Sequence, residues 1–252
     1  HTHHHSVMSR LALQPVACLW LLLLIPACYF CSAISFAAEP PSARQLLNLK
    51  AGGVDRTYVV HVPANSKMEK RLPVVIMLHG GGGTANATIW ETGWTDKADQ
   101  EGFLAVFPNA LARNPTKPSS FVWNPQLWND GSDRFYPDQK VSDDTVFFAA
   151  LLDELEARYP VDKDRIYVSG FSNGASMSFL LGANLSARIA AIAPVAGACW
   201  ITPSTMTRPV PLLYITGRND PLNLIDGGVP KMLSGAKEPI RAKPKPPVME
   251  SI

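Results

Sequence analysis

The feature that most constrains this chain is a five-residue turn, Gly170-Phe171-Ser172-Asn173-Gly174, set between a strand pattern and a helix pattern. Residues 165–169 (RIYVS) read as a strand, and residues 175–184 read as a helix. Glycines at both ends of the turn let strand and helix pass closely, and the serine between them is forced into a strained, exposed conformation. A serine hydroxyl is a weak nucleophile unless it is exposed, oriented and given a base. This turn supplies the exposure, and the helix N-terminus adds a field that favours a developing anion. The same residues would fit a tight turn with a capping serine. The strand before and the helix after favour the nucleophile.

Elsewhere apolar runs alternate with helical patterns, which predicts βαβ units and a mostly parallel sheet flanked by helices. Residues 56–62 (RTYVVHV) alternate as an early strand, and 72–78 (LPVVIML) form a continuous apolar run, as expected of a strand covered on both faces. A helical stretch over 92–101 precedes a strand at 103–107 (FLAVF). Residues 109–140, rich in Pro, Asn and Trp, have no period and are expected to form a long surface excursion, a kind of loop that often shapes binding sites. Ser142-Asp143-Asp144 caps a helix running to about Tyr159. Its two aspartates are read as cap and dipole compensation rather than as a metal or acid–base pair. Strands at 189–195 and 210–216 follow, and a Lys- and Pro-rich tail at 237–247 reads as a connection. With 46% hydrophobic and 17% charged residues the chain can bury one sizeable core, and no second domain is visible.

Two further groups belong with the turn. Leu78-His79-Gly80-Gly81-Gly82-Gly83 follows the strand at 72–78 directly, and its glycines allow main-chain N–H groups to face a developing oxyanion. The run lacks the Gly-Lys-Ser/Thr ending of a phosphate-binding loop and the spacing of a dinucleotide fingerprint. Gly81 and Asn173 are therefore the expected oxyanion-hole donors, through their main-chain amides. The strand at 210–216 ends in Gly217-Arg218-Asn219-Asp220-Pro221, which places Asp220 at the carboxyl edge of the sheet, where open parallel sheets gather functional groups. An aspartate there would orient a histidine and stabilise its charged form; as an isolated Asp-Pro it would be a turn residue. The order Ser172 then Asp220 predicts a histidine further on, and none follows. The six histidines are His1, His3, His4, His5, His61 and His79, of which His61 lies in an early strand and His79 in the glycine-rich loop.

The net charge of +2 gives no reason to expect a nucleic-acid partner. Met8-Ser9-Arg10, an apolar run from Leu11 to Ala38 and the small-residue exit Ser35-Phe36-Ala37-Ala38 form the pattern of a secretory signal. Residues 1–38 are thus expected to be upstream residues plus a signal peptide, and 39–252 the folded domain of a secreted or periplasmic protein with no stable membrane association after cleavage. The run is also long enough to span a bilayer as an anchor, and Ile25-Pro26-Ala27-Cys28 offers a lipoprotein alternative. Three of the four cysteines, Cys18, Cys28 and Cys31, fall in that segment. Cys199 is left as a small buried hydrophobe, a reduced thiol or half of a disulfide.

Taken together, RTYVVHVP, LHGGGG, VSDDTVFFAALLDELEARYPVDKDRIYVSGFSNGASM, IAPVAG and ITGRNDP resemble the secreted polyhydroxybutyrate depolymerase-like and feruloyl esterase-like branch of the α/β-hydrolases, over roughly residues 50–225. The resemblance implies an α/β-hydrolase fold, Ser172 as nucleophile, Asp220 as acid, and Gly81 with Asn173 at the oxyanion hole. It implies ester substrates, polymeric ones among them: polyhydroxyalkanoates, feruloylated or acetylated polysaccharides, or small esters. No metal or organic cofactor is needed for this chemistry. In the family a histidine near the C-terminus, often in a Gly-His-x-Trp-Pro setting, completes the triad. The departure from that pattern leads to the expectation that the last strand and helix, with the histidine and any disulfide partner of Cys199, are missing. The alternatives are a non-catalytic binding protein on the same scaffold and an inactive fragment. Trp123 and Trp128 are candidates for an aromatic lip on the excursion, or for ordinary loop anchors.

Overall fold

The computed structural model describes residues 44–64, 66, 70–120, 123–133, 138, 142–202, 206–230 and 243–251. The expected signal segment with Cys18, Cys28 and Cys31, the residues His1 to His5, and part of the 109–140 excursion and of the tail lie outside the described residues. The chain forms an α/β-hydrolase sheet of β1 (Arg44–Ala51), β2 (Val54–His61), β3 (Leu72–Leu78), β4 (Leu104–Pro108), β5 (Val161–Phe171) and β6 (Ala191–Val195). Their order is β1-β2-β4-β3-β5-β6, with β1, β2 and β4 paired antiparallel and β4, β3, β5 and β6 parallel. Helices α1 (Ala85–Thr92) and α2 (Trp94–Glu101) lie between β3 and β4, α3 (Asp144–Arg158) between β4 and β5, and α4 (Asn173–Asn184) between β5 and β6.

Because side chains alternate across a strand, the central strands feed two cores. Val74, Ile76 and Leu78 of β3 join Val106, Ile166 and Val168 against Phe147, Leu151 and Leu155 of α3 and Met177 and Leu181 of α4. Val75 and Met77 face the other way, with Val59, Ala105 and Phe107, against Ala85 and Ile89 of α1 and Ala98 of α2. This explains why residues 72–78 carry no polar position.

Several local features depart from the sequence expectation. β1 was not anticipated; it pairs with β2 through a turn at Gly52 and Gly53 and alternates exposed and half-buried residues, so its pattern is diluted. The helical stretch after the glycine loop is two short helices. Thr84 caps α1 by accepting from the Ala87 N–H, and left-handed Gly93 separates α1 from α2. Residues 210–216 run parallel to β6 through bridges at Leu212 and Ile215 rather than as a full strand. Beside them, Trp94, Tyr167, Ser169, Ala193 and Leu213 line an apolar hollow of about 450 Å³. Leu213 and Ile215 are 62% and 50% exposed.

The two aspartates at the start of α3 have separate roles. Asp143 is the cap, accepting from the Thr145 and Val146 amides. Asp144 does not compensate the dipole at the surface; it is buried and paired with Arg56 of β2 at 2.6 Å. Arg56 also lies 4.0 Å over the Phe147 ring. Burial pushes the Asp144 carboxyl up, against the pull of the guanidinium. Removing one partner leaves the other charge buried, which costs roughly 3–5 kcal/mol. Asp144→Ala is therefore expected to lower unfolding free energy by about that amount. A urea-denaturation midpoint equal to the wild type would contradict the pairing.

Candidate active site

Leu78 at the end of β3 is paired with Gly170 of β5, so the glycine-rich loop and the Ser172 turn leave the sheet side by side at its carboxyl edge. This is the point where the strand order reverses, with β4 on one side of β3 and β5 on the other. Ser172 has φ 55° and ψ −115°, a conformation that costs on the order of 1–3 kcal/mol for a non-glycine residue. Its main-chain N–H donates to Val195 O at 2.9 Å, and its carbonyl accepts from Ser176 N at 3.0 Å. Its side chain makes no capping hydrogen bond to α4. The hydroxyl is therefore not used as a helix cap. A Cβ at Gly174 would stand 2.5 Å from His79 O and 2.6 Å from Leu78 O, so only glycine lets α4 start here.

Gly81 and Asn173 lie side by side: a Cβ on Gly81 would lie 3.7 Å from the Asn173 Cβ, and one on Gly80 would lie 3.6 Å from the Ser172 Cβ. The glycine-rich loop thus borders Ser172 and the first residue of α4. Asp220 sits half-buried in its own turn, where one carboxylate oxygen accepts from the Leu222 and Asn223 amides at 2.8 and 2.9 Å. Buried Asn223 donates to the Tyr214 hydroxyl at 2.9 Å and to Thr216 Oγ1 at 3.0 Å. Tyr214 in turn donates to Gly197 O, whose residue packs against the Ser172 carbonyl. The loop carrying Asp220 is therefore tied to the serine turn through the segment after β6.

Neither described histidine is available as a base. His61 Nε2 meets Asp99 Oδ1 at 2.8 Å inside β2 and is structural. His79 is buried, with Nδ1 donating to Gly80 O at 2.7 Å and Nε2 accepting from Ala110 N at 3.0 Å. Both nitrogens are committed, which fixes one neutral tautomer. Burial is the main cause that brings its pKa down to about 4.

The excursion shapes this site in a way the sequence did not disclose. Trp128 is not a lip; it is 1% exposed, and its indole N–H donates to His79 O at 2.9 Å. Gln126 O accepts from Gly82 N at 2.8 Å. Trp123 is 83% exposed. Asn129 links the excursion to the buried ion pair, its N–H donating to Asp144 Oδ2 at 2.7 Å. Half-buried Cys199 donates to Ile201 O at 3.4 Å, and burial pushes its thiol up. Among the described residues, no group of three or more His, Cys, Asp and Glu side chains is placed to hold a metal, and no helix is long and apolar enough to cross a membrane.

The neutral state of His79 has a pH signature. Its folded pKa lies below the unfolded value of 6.5, so its contribution is complete above pH 6.5 and is lost as pH falls toward 4. The stability advantage of the wild type over His79→Gln should narrow by about 3 kcal/mol between pH 7 and pH 4. Urea titrations at both pH values measure this. A constant difference would mean that the imidazole is not held neutral.

Residues 61–226 match the phospholipase/carboxylesterase family. Among relatives, the bifunctional acetylxylan esterase/xylanase XynS20E of Neocallimastix patriciarum is 30% identical over 161 residues, covering 64% of this chain and 21% of that protein. Feruloyl esterase B of Piromyces equi is 30% identical over 192 residues, covering 71% of this chain and 32% of that protein. The chain thus spans a third or less of the length of these two relatives. A solved thermostable esterase superposes with a TM-score of 0.52 at 17% identity, over 73% of this chain and 48% of that one, and shares the fold.

Proposed function

Since the chain belongs to the phospholipase/carboxylesterase family, we propose that it is a secreted serine esterase that hydrolyses carboxylic esters through an acyl-enzyme on Ser172. The observation that carries this reading is the backbone of Ser172, held at φ 55° with its hydroxyl unused by the helix it precedes. A serine held at positive φ beside a glycine-rich loop is local backbone strain of the kind that clusters at functional sites.

In this mechanism the Ser172 Oγ attacks the ester carbonyl while a base takes its proton. The main-chain N–H groups of Gly81 and Asn173 receive the oxyanion. The tetrahedral intermediate collapses, the alcohol leaves with the proton, and water repeats the sequence to release the acid. Asp220 would orient and stabilise the protonated base. His61 and His79 are engaged elsewhere, so we assign the base to a group outside the described residues. The names of the two relatives, together with the resemblance to polyhydroxybutyrate depolymerases, support acetylated or feruloylated polysaccharides and polyesters as the substrate class. The apolar run at 11–38 supports export. A binding protein on the same scaffold is the second reading, favoured by the engagement of both described histidines.

The chain should acquire an acetyl group on Ser172 from p-nitrophenyl acetate, an activated ester whose leaving group needs little acid assistance, and hydrolyse it, with methyl ferulate as a slower test ester. Added imidazole should raise the rate, after correction for its own background. Mass spectrometry of the adduct and turnover of the Ser172→Ala variant check this. No acetyl adduct on Ser172, together with turnover equal to that of Ser172→Ala even with imidazole added, would sink the assignment of Ser172 and favour the binding reading.

A further inference from the structure

We infer that the Asn173 side chain and the buried Asp130 carboxylate are positioning residues that fix the main-chain N–H of Asn173 in the oxyanion hole. The inference rests on Ser172 being the acylated residue. An oxyanion donor that acts through its main chain places no demand on its own side chain, yet the Asn173 carboxamide is engaged at both ends. Its Oδ1 accepts from Trp128 N at 2.8 Å. Its Nδ2 donates to Trp128 O at 3.1 Å and to Asp130 Oδ2 at 2.9 Å.

Asp130 is 1% exposed, and its other oxygen accepts from the Ser132 N–H at 3.0 Å and from the Ser132 hydroxyl. Burying a carboxylate is costly unless it is hydrogen-bonded, and the Asn173 Nδ2 is one of the donors that meet this need, so carboxylate and carboxamide hold each other in place. The adjoining helix end needs such an anchor. The residue at the N-cap of α4 is Ser172, and a hydroxyl kept for chemistry cannot also hold the first turn in place. The Asn173 clamp supplies that anchoring one residue later, leaving the serine side chain unused.

The same short stretch also holds the opposite side of the hole. Gln126 O takes the Gly82 N–H, and Leu127 Cδ2 lies 3.0 Å from where a Gly81 Cβ would stand. Residues 126–130 therefore set the spacing between the two donors, and the Asn173–Asp130 contact is the point at which α4 is registered to them. A displacement of about 1 Å at such a site can cost roughly a hundred-fold in rate.

The test uses the whole chain carrying Asn173→Ala, Asn173→Asp, or Asn173→Asp together with Asp130→Asn, with acetylation of Ser172 by p-nitrophenyl acetate as the readout. Both single variants should lower kcat by roughly ten- to a hundred-fold while KM stays within about two-fold. Asn173→Asp sets a second carboxylate against Asp130, so its defect should shrink as pH falls through the carboxylate range and a shared proton restores the donor. The defect of Asn173→Ala should not depend on pH. The double variant, which restores a donor facing a carboxylate, should regain part of the rate lost in Asn173→Asp. Wild-type kcat in the single variants, or an identical defect in both at every pH with no recovery in the double variant, overturns the inference. If the wild type is not acetylated at Ser172, the esterase reading fails separately. Amide hydrogen exchange at Ser176, whose N–H closes the first turn of α4 on Ser172 O, then decides the positioning role: at least about ten-fold faster exchange in Asn173→Ala supports it, and unchanged exchange overturns it.

Discussion

The first turn of α4 lies against the carbonyls that end β3, at a separation that only a hydrogen atom on Gly174 permits. From this contact follow the tight reversal at Ser172, the positive φ of that residue and the proximity of the glycine-rich loop to Asn173. Any side chain at position 174 would push the helix away from His79 O and Leu78 O. The glycine-rich loop, Asn173 and Ser172 would then no longer share one small volume. The sheet supports the contact by register, since Leu78 and Gly170 are direct partners in neighbouring parallel strands.

Around this centre the protein spends polar side chains rather than regular structure. The excursion after β4 has bridges at Ala112–Gln126 and Ser120–Asn124 but no strand or helix among its described residues. Its main-chain groups are satisfied instead by asparagines. Asn124 Nδ2 lies within 3.1 Å of the carbonyls of Asn114, Lys117 and Pro118. Asn109 joins Thr57 of β2 to Ala85 of α1. The Arg56–Asp144 pair anchors the far end through Asn129. A loop held this way can meet the oxyanion loop with backbone precision, which a freely moving loop could not.

The parts of this arrangement that were legible in the sequence are those set by backbone need. Strand β3 was found end for end because a strand covered on both faces admits no polar position. The Gly-x-Ser-x-Gly turn and the glycine-rich loop were legible because close approach leaves glycine no substitute. β1 was missed because its inward face, Gln45, Leu47, Leu49 and Ala51, is short and opens on a polar residue, while Leu46 breaks the alternation on the exposed face. α1 was missed because it begins just after the glycines and lasts only eight residues. Trp128 was ambiguous because an indole suits an exposed platform and a buried brace equally well; its role depends on the His79 carbonyl, 49 positions away. The Asn173 side chain was hidden for the same reason, its partners lying more than forty residues earlier in the chain.

The segment at 210–216 carries a different consequence. Its inner side is bonded to β6, while Leu213 and Ile215 remain largely in water beside an apolar hollow. Leu213 and Ile215 donate their N–H groups to Ile192 O and Pro194 O, while β6 also takes the Ser172 N–H at Val195 O. The loop carrying Asp220 begins directly beyond this segment, so the placement of its carboxylate relative to Ser172 is inherited from the register of one short strand.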